Sequence, residues 1–234
     1  MADVNCYGQL VGSGGAIVPL LNTAQTETGE EETQTDLNFV GSSQTAGTFW
    51  TQQYAGQSCV QAGIICENDF LYSFLRSAGK IKLAFPVGSG VAGGSSNLPA
   101  ALPYPKPLAS GDQVITQAIR ATDRDTAVTV ACTNGEYHVF DVRPAGSGEH
   151  EYVSVISGES VGLTLQGRRI SHWFATSGNN DAEITSPVYL LDGSGIPTAS
   201  VAFTCSTGNA GATFQRCVNG SVSLNSRMVF RTDA

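Results

Sequence analysis

The stretch TVACTNGEYHVFDV, residues 129–142, decides how the chain is read. Asn134-Gly135 stands between two runs of alternating apolar and polar residues, and that dipeptide readily takes the two positive φ angles of a type I′ hairpin turn. A two-residue loop predicts that Cys132 faces Tyr137, Ala131 faces His138 and Val130 faces Val139. Successive side chains alternate between the faces of a strand. This register therefore puts Cys132, Tyr137, Val130 and Val139 on one face, and His138 on the other with Thr133, Glu136, Ala131 and Thr129. Cysteine and histidine then cannot meet as thiolate and imidazole within the hairpin. The expectation is a structural wall, with His138 on a half-polar sheet face instead of a catalytic site.

Outward from the hairpin the same period-two pattern recurs. Candidate strands fall near 4–11, 15–21, 37–41, 47–54, 58–66, 80–87, 113–121, 126–133, 136–143, 151–157, 160–166, 168–175, 184–191, 198–205, 212–218 and 221–231. Strand after strand at short spacing predicts an all-β sandwich or barrel and excludes a parallel α/β sheet, which needs helices of about ten or more residues between strands. One short helix is expected in ENDFLYSFLRSAGK, with Asn68 as N-cap, apolar Phe70, Leu71, Phe74 and Leu75 at helical spacing, and Gly79 as the stop. Two segments look like excursions. NTAQTETGEEETQTD is polar and acidic, and residues 88–112 form a Gly-, Ser- and Pro-rich arm without periodicity, of the length that usually covers or binds something. The expectation for 88–112 is an arm lying along a neighbouring subunit.

Composition bounds the function. The 27 glycines, 14% charged residues and 41% apolar residues suit a turn-rich β protein. A net charge of −8 without clustered Lys or Arg argues against direct binding of nucleic acid. Arginine outnumbers lysine, whose only positions are 80, 82 and 106. An acidic, lysine-poor balance is compatible with a salty medium, where a Debye length of about 3 Å at 1 M lets like charges crowd. The opening MADVNCYGQLVGSGG lacks the basic and apolar regions of a signal peptide, which predicts cytoplasmic synthesis. No apolar run approaches the roughly 18 residues of a membrane span.

Motifs for chemistry are sparse. GSGVAG at 88–93 fits G-x-G-x-x-G, but GSSNLPAALPYPKP follows and cannot be the helix that would cradle a pyrophosphate. The six cysteines include no C-x-x-C pair, and His138, His150 and His172 do not complete zinc spacing, so no metal, cofactor or catalytic residue is assigned. The acidic pairs Asp123/Asp125 and Glu149/Glu151, and the run Asn179, Asn180, Asp181 and Glu183, read as solvated loops, and the sequon Asn219-Gly220-Ser221 matters only on export. RRISHWF at 168–174 is the one place where Arg, His and Trp meet, and Arg168, Arg169, His172 and Trp173 are candidate interface residues. Cys205 and Cys217 flank a Gly/Asn-rich turn region and are the leading intrachain disulfide candidates, if a hairpin turns near residues 209–212. Cys6, on a terminal segment, and Cys59, in a polar stretch, are candidates for a bond to another chain.

The length, the acidic Arg-over-Lys composition and the Thr-, Val- and Gly-rich strands together resemble the single-jelly-roll major capsid proteins of tailless icosahedral viruses of halophilic archaea, whose capsomers are built from two related proteins standing vertically on the shell. The resemblance is one of overall character and carries over no functional residue. It implies one jelly-roll-like domain over 1–234 with an N-terminal extension and the 88–112 arm, with room for a small additional β module. It also implies a non-enzymatic structural role in the virion, homo-oligomers with a second capsid protein, an internal membrane beneath the shell and inter-subunit disulfides. The alternatives are a virion decoration, turret or fibre protein and, from another class, a carbohydrate-binding β-sandwich with RRISHWF as its platform; a hydrolase using a carboxylate pair ranks behind both.

Overall fold

The computed structural model of the chain describes residues 3–4, 6–21, 25–26, 35–38, 56–66, 70–89, 100–109, 112–118, 126–142, 144, 146–177, 184–205 and 213–233. Its N-terminal half carries β1 (Asp3–Val4), β2 (Cys6–Gly12), β3 (Ile17–Leu21), β4 (Gln25–Thr26), β5 (Thr35–Asn38), β6 (Ser58–Cys66), β7 (Phe70–Ser77), β8 (Lys80–Phe85), β9 (Val87–Ser89), β10 (Ala100–Pro107) and β11 (Gln113–Ala118). The remainder carries β12 (Thr126–Cys132), β13 (Tyr137–Val142), β14 (Gly148–Glu151), β15 (Val153–Ser154), the helix α1 (Val161–Leu165), β16 (Ile170–Ser177), β17 (Val188–Leu191), β18 (Pro197–Val201), β19 (Phe203–Cys205), β20 (Gln215–Arg216) and β21 (Arg227–Thr232). The protein is all-β, and its strands pair into the sheets β1-β4, β10-β6-β2-β3, β5-β11-β7-β8, β15-β13-β12-β16-β19 and β14-β21-β17-β18. These pairings make an all-β sandwich of sheets and do not establish the jelly-roll order.

The sheet containing β12 is shared by two cores. Ala127, Ala131, Tyr137 and Val139 join Leu10, Leu75, Leu83 and Phe85 on one side. Val128, Val130, Cys132 and Phe140 join Val161, Leu190, Met228 and Phe230 on the other. Every residue of β12 is buried.

The 129–142 hairpin forms, but with a different turn from the expected one. Gly135 alone in the turn has a positive φ, of 83°, its N–H reaches the Cys132 carbonyl at 2.8 Å, and the Cys132 N–H reaches the Glu136 carbonyl at 2.8 Å. This is a three-residue loop in which a type I turn ends in a left-handed glycine. The register moves by one residue: Ala131 faces Tyr137 and Val130 faces His138. His138 therefore shares the face of Cys132, Val130 and Phe140, and Tyr137 lies on the opposite face, which corrects the expected partition.

The expected helix over ENDFLYSFLRSAGK is instead the hairpin β7–β8. Ala78 (φ 48°) and Gly79 (φ 77°) make the two-residue turn between Ser77 and Lys80, so Gly79 stops no helix. Tyr72, Ser73, Phe74 and Leu75 are all buried, and a strand covered on both faces shows a continuous apolar run that imitates helical spacing. Conversely, the strand expected at 160–166 holds α1, where the Ser160 side chain accepts the Leu163 N–H as an N-cap.

The 88–112 arm is corrected as well. Its second half is β10, paired antiparallel with β6 through Ala100–Ala62, Ala101–Gln61, Lys106–Cys59 and Pro107–Ser58, with an irregularity between Ala101 and Lys106. Pro103, Pro105 and Pro107 are tolerable because β10 ends its sheet and need not donate on both sides. The buried Tyr137 hydroxyl holds the irregular part, accepting the Tyr104 N–H at 2.9 Å and donating to the Tyr104 carbonyl at 3.1 Å. Lys82 pairs with the buried Asp112 at 2.7 Å, and Asp112 also accepts the Ala109 N–H at 2.8 Å. Residues 100–109 thus lie on their own chain; residues 90–99 lie outside the described residues.

Replacing Tyr137 by Phe removes both bonds to Tyr104 and leaves a buried amide without its partner, so Tyr137→Phe is expected to cost about 1–3 kcal/mol. Urea unfolding with an unchanged slope checks this; a midpoint equal to that of the unmodified protein would contradict the bracketing role.

Candidate functional site

Beside the central hairpin lies an open cleft of about 310 Å³. Its ionisable lining is Glu136, His138, Arg168 and Lys80, its hydroxyls come from Ser154, Ser157 and Thr164, and Ile81, Val139 and Ile156 supply apolar wall. Glu136 and His138 are two residues apart on one strand edge and so share a face. Arg168 arrives from far along the chain. After α1 the backbone turns through Gly167 (φ 74°), whose N–H is held by the Val222 carbonyl, and the bond from the Thr133 N–H to the Arg169 carbonyl at 2.9 Å docks this turn on the hairpin.

The three side chains form a chain of contacts. Arg168 Nε donates to Glu136 Oε2, and Arg168 Nη2 lies 3.4 Å from Glu136 Oε1. His138 Nε2 lies 3.4 Å from Glu136 Oε2; an ionised carboxylate only accepts, so Nε2 carries the proton. The Arg168 guanidinium holds the Glu136 carboxyl down to about 2, with Asn134 and His138 adding to the effect against partial burial. Burial pushes the His138 imidazole below its ordinary value, and the Glu136 carboxylate opposes that only in part. At neutral pH the cleft thus presents a fixed ion pair and a neutral imidazole whose Nε2 is engaged.

The hydroxyls are mostly committed to the backbone. Ser154 Oγ accepts the N–H groups of Ile156 and Ser157 at 3.3 Å, and Ser157 Oγ accepts that of Glu159 at 3.4 Å. Thr164 Oγ1 is buried without a hydrogen-bond partner among the described residues. The arrangement offers an apolar recess with a charged rim. Ile156, which lines the recess, is 48% exposed, and Leu163, next in sequence to the lining residue Thr164, is 57% exposed.

Of the expected interface residues, Arg168 reaches this cleft and Arg169 is exposed on a different one, with Asp192, Thr198, Asn219 and Ser223. His172 is half-buried against Tyr104, its ring edge-on at 6.3 Å, and its Nδ1 lies 3.1 Å from Ser171 Oγ. Trp173 is 1% exposed and belongs to the second core, so it is no interface residue. The reason is a bulge: β16 pairs Cys132 with Ile170 but Ala131 with His172, leaving Ser171 extra. Ile170 and Trp173 consequently share one face and His172 and Phe174 the other, a departure from the simple alternation of an unbulged strand. Glu136 and Lys80 were not singled out by sequence reasoning; Glu136 two residues before His138 was the available signal.

The disulfide candidates are also relocated. β19 runs parallel to β16 with Cys205 opposite Ser177, whereas β20 runs antiparallel along the same strand, and the Cys217 N–H bonds the Ser171 carbonyl. Six residues of strand, on the order of 20 Å, therefore separate the backbones of Cys205 and Cys217. No hairpin opposes them, and Cys217 is a free buried thiol. Cys59 is also free and buried, on β6 between β10 and β2, so it cannot reach another chain. Burial pushes the thiols of Cys59, Cys132 and Cys217 up to about 12, which leaves essentially no thiolate at neutral pH. Cys6 lies on β2, opposite Cys66 of β6. Among the other sequence candidates, Glu149 and Glu151 pair with Arg227 at 2.9 and 3.8 Å, while Asp123, Asp125 and residues 179–183 lie outside the described residues. No group of metal-ligating side chains occurs among the described residues.

Comparison with family models, with curated proteins and with solved structures finds no match.

Two outcomes are expected. Glu136 and His138 both have folded pKa values below their ordinary ones, so each contributes stability at high pH that is lost on acidification. For His138 the loss begins below about 6.5, and for Glu136 it begins below about 4.3 and runs toward 2. His138→Gln should flatten the melting temperature against pH below about 6.5, and Arg168→Gln should flatten the acid limb below about 4.3 while lowering stability at neutral pH by no more than about 1 kcal/mol, since the ion pair is partly exposed. Trp173→Ala is expected to cost about 3–5 kcal/mol, as for a core aromatic. Chemical denaturation checks this, and a stable Trp173→Ala variant would return the residue to the surface.

Proposed function

We propose that this chain is a structural subunit that assembles through contacts with other copies of itself and with a second, related shell protein, in the manner of the virion shell proteins it resembles. The observation that carries the reading is the exposure of Ile156 and Leu163 on the segment that also bears the edge strand β15. Apolar side chains at the centre, with Glu136, Arg168 and Lys80 around them, match the anatomy of a protein interface, where an apolar core is ringed by polar groups. The outer edge of β15 is closed by its own turn, through the Ser154 N–H to the Glu159 carbonyl and the Gly158 N–H to the Ser154 carbonyl, both at 2.8 Å, so contact by this face rests on its side chains. At molar salt the charged rim is screened, while apolar contact is retained, so assembly by this face suits a saline medium.

The carbohydrate-binding reading loses its support from RRISHWF, because Trp173 lies in the core and cannot stack on a sugar. A decoration, turret or fibre role would use the same face against a shell built by another chain. An internal membrane beneath the shell belongs to the same proposal.

The test is assembly of the purified chain at molar salt, alone and with the other shell proteins, followed by light scattering and electron microscopy. Leu163→Asp with Ile156→Asp is expected to leave the circular dichroism unchanged and to reduce the assembled fraction by at least tenfold. Assembly of this double variant at the unmodified level would overturn the proposal. Attachment only to shells preformed from another protein would favour the decoration role.

A further inference from the structure

We propose that Cys6 and Cys66 form an intrachain disulfide that fastens the N-terminal strand β2 to β6. In the antiparallel register of these two strands Cys6 stands directly opposite Cys66. Directly opposed residues of an antiparallel pair have Cα atoms about 4.5 or 5.5 Å apart, according to whether the pair is hydrogen-bonded. A disulfide accepts Cα separations of about 4.4–6.8 Å, so the register suits the bond in either case.

The other cysteines stand differently. Cys59 is opposite Gly12 and Lys106, Cys132 is opposite Ile170, and Cys205 is opposite Ser177. Among the described strands, Cys6–Cys66 is the register pair that joins two cysteines. Cys59, Cys132 and Cys217 are moreover buried and held protonated, so an oxidant in solution finds little thiolate on them.

Formation needs a two-electron oxidant, and a small-molecule disulfide such as oxidised glutathione supplies it. One thiolate attacks the glutathione disulfide and expels a glutathione thiolate. The second then attacks the mixed disulfide and expels the other, so two protein thiols become one disulfide and one oxidised glutathione becomes two reduced ones. The bond closes a loop of about sixty residues, a length at which a cross-link restricts the unfolded chain strongly. Among the described residues β3 pairs with its sheet only through β2, so the bond holds the whole β2–β3 hairpin in place.

The experiment uses the full chain, oxidised with glutathione disulfide or fully reduced, then alkylated under denaturing conditions. Trypsin is unsuitable, since no Lys or Arg precedes Arg76 and one peptide would hold Cys6, Cys59 and Cys66. Cleavage after glutamate, at Glu27 and Glu67 among others, separates Cys6 from Cys66; Cys59 stays on the peptide that ends at Glu67, and fragmentation between Cys59 and Cys66 shows which of the two is bonded and which is alkylated. The expected result is a cross-linked peptide joining these two, with the other cysteines alkylated, and at least tenfold slower hydrogen exchange over residues 6–12 in the oxidised chain than in the reduced one. C6S and C66S should each abolish the cross-linked peptide and exchange like the reduced protein. Should either variant fail to fold, the reduced unmodified chain provides the same comparison. Alkylation of every cysteine after oxidation would overturn the proposal, and so would recovery of Cys6 bonded to another cysteine or to a second chain.

Discussion

The strand Thr126–Cys132 is buried from end to end, and its two faces belong to different cores. That places an unusual demand on register. In a sheet with one wet face, a one-residue slip exposes apolar side chains and is penalised simply by hydration. Here a slip would exchange the contents of two cores, sending Ala127 and Ala131 to the side built for Val128 and Val130 and the reverse. Both sets are apolar, so hydrophobicity alone discriminates weakly; volume and turn geometry must decide. Gly135 supplies the geometric term, because its left-handed backbone closes a three-residue loop in which Cys132 and Glu136 are opposed. The large Tyr137 then falls on the side of the alanines, and its hydroxyl reaches β10.

This geometry explains why the all-β class was legible in the sequence while the details were not. Alternation and turn punctuation survive in strands with one polar face, and they correctly located the hairpin and most strand positions. Doubly buried strands lose the alternation, and so Phe70–Ser77 imitated a helix and Trp173 imitated a surface aromatic. The dipeptide Asn134-Gly135 permits both a two-residue and a three-residue loop, and the choice between them rests on packing around residues 129–142 that lies elsewhere in the chain. A bulge such as that at Ser171 leaves no trace in a period-two reading.

The cleft was half legible in the same sense. Glu136 and His138 are local, and their shared face follows from two-residue spacing in a strand. Arg168 reaches Glu136 only because α1, the Gly167 turn and the backbone bond from Thr133 to Arg169 fold the chain back on the hairpin. No local pattern encodes that return. The cysteines teach the complementary lesson: separation in sequence suggested a hairpin between Cys205 and Cys217, yet both segments run along one edge of β16 and never face one another.

The preference for arginine over lysine finds a physical reason in the ion pairs. Arg168 uses two nitrogens on the two Glu136 oxygens, and Arg227 and Arg231 both reach Glu149. A guanidinium can satisfy a carboxylate with two donors at fixed geometry, whereas an ammonium offers a single point charge. These pairs are partly exposed, so salt weakens them and each contributes little to stability. The two cores, by contrast, are built of buried apolar side chains that screening does not affect, and exclusion of kosmotropic salts strengthens them. The arginine pairs therefore serve orientation more than stability. They fix where the cleft's rim lies, and the energy that holds the rim there comes from the apolar layers on either side of β12.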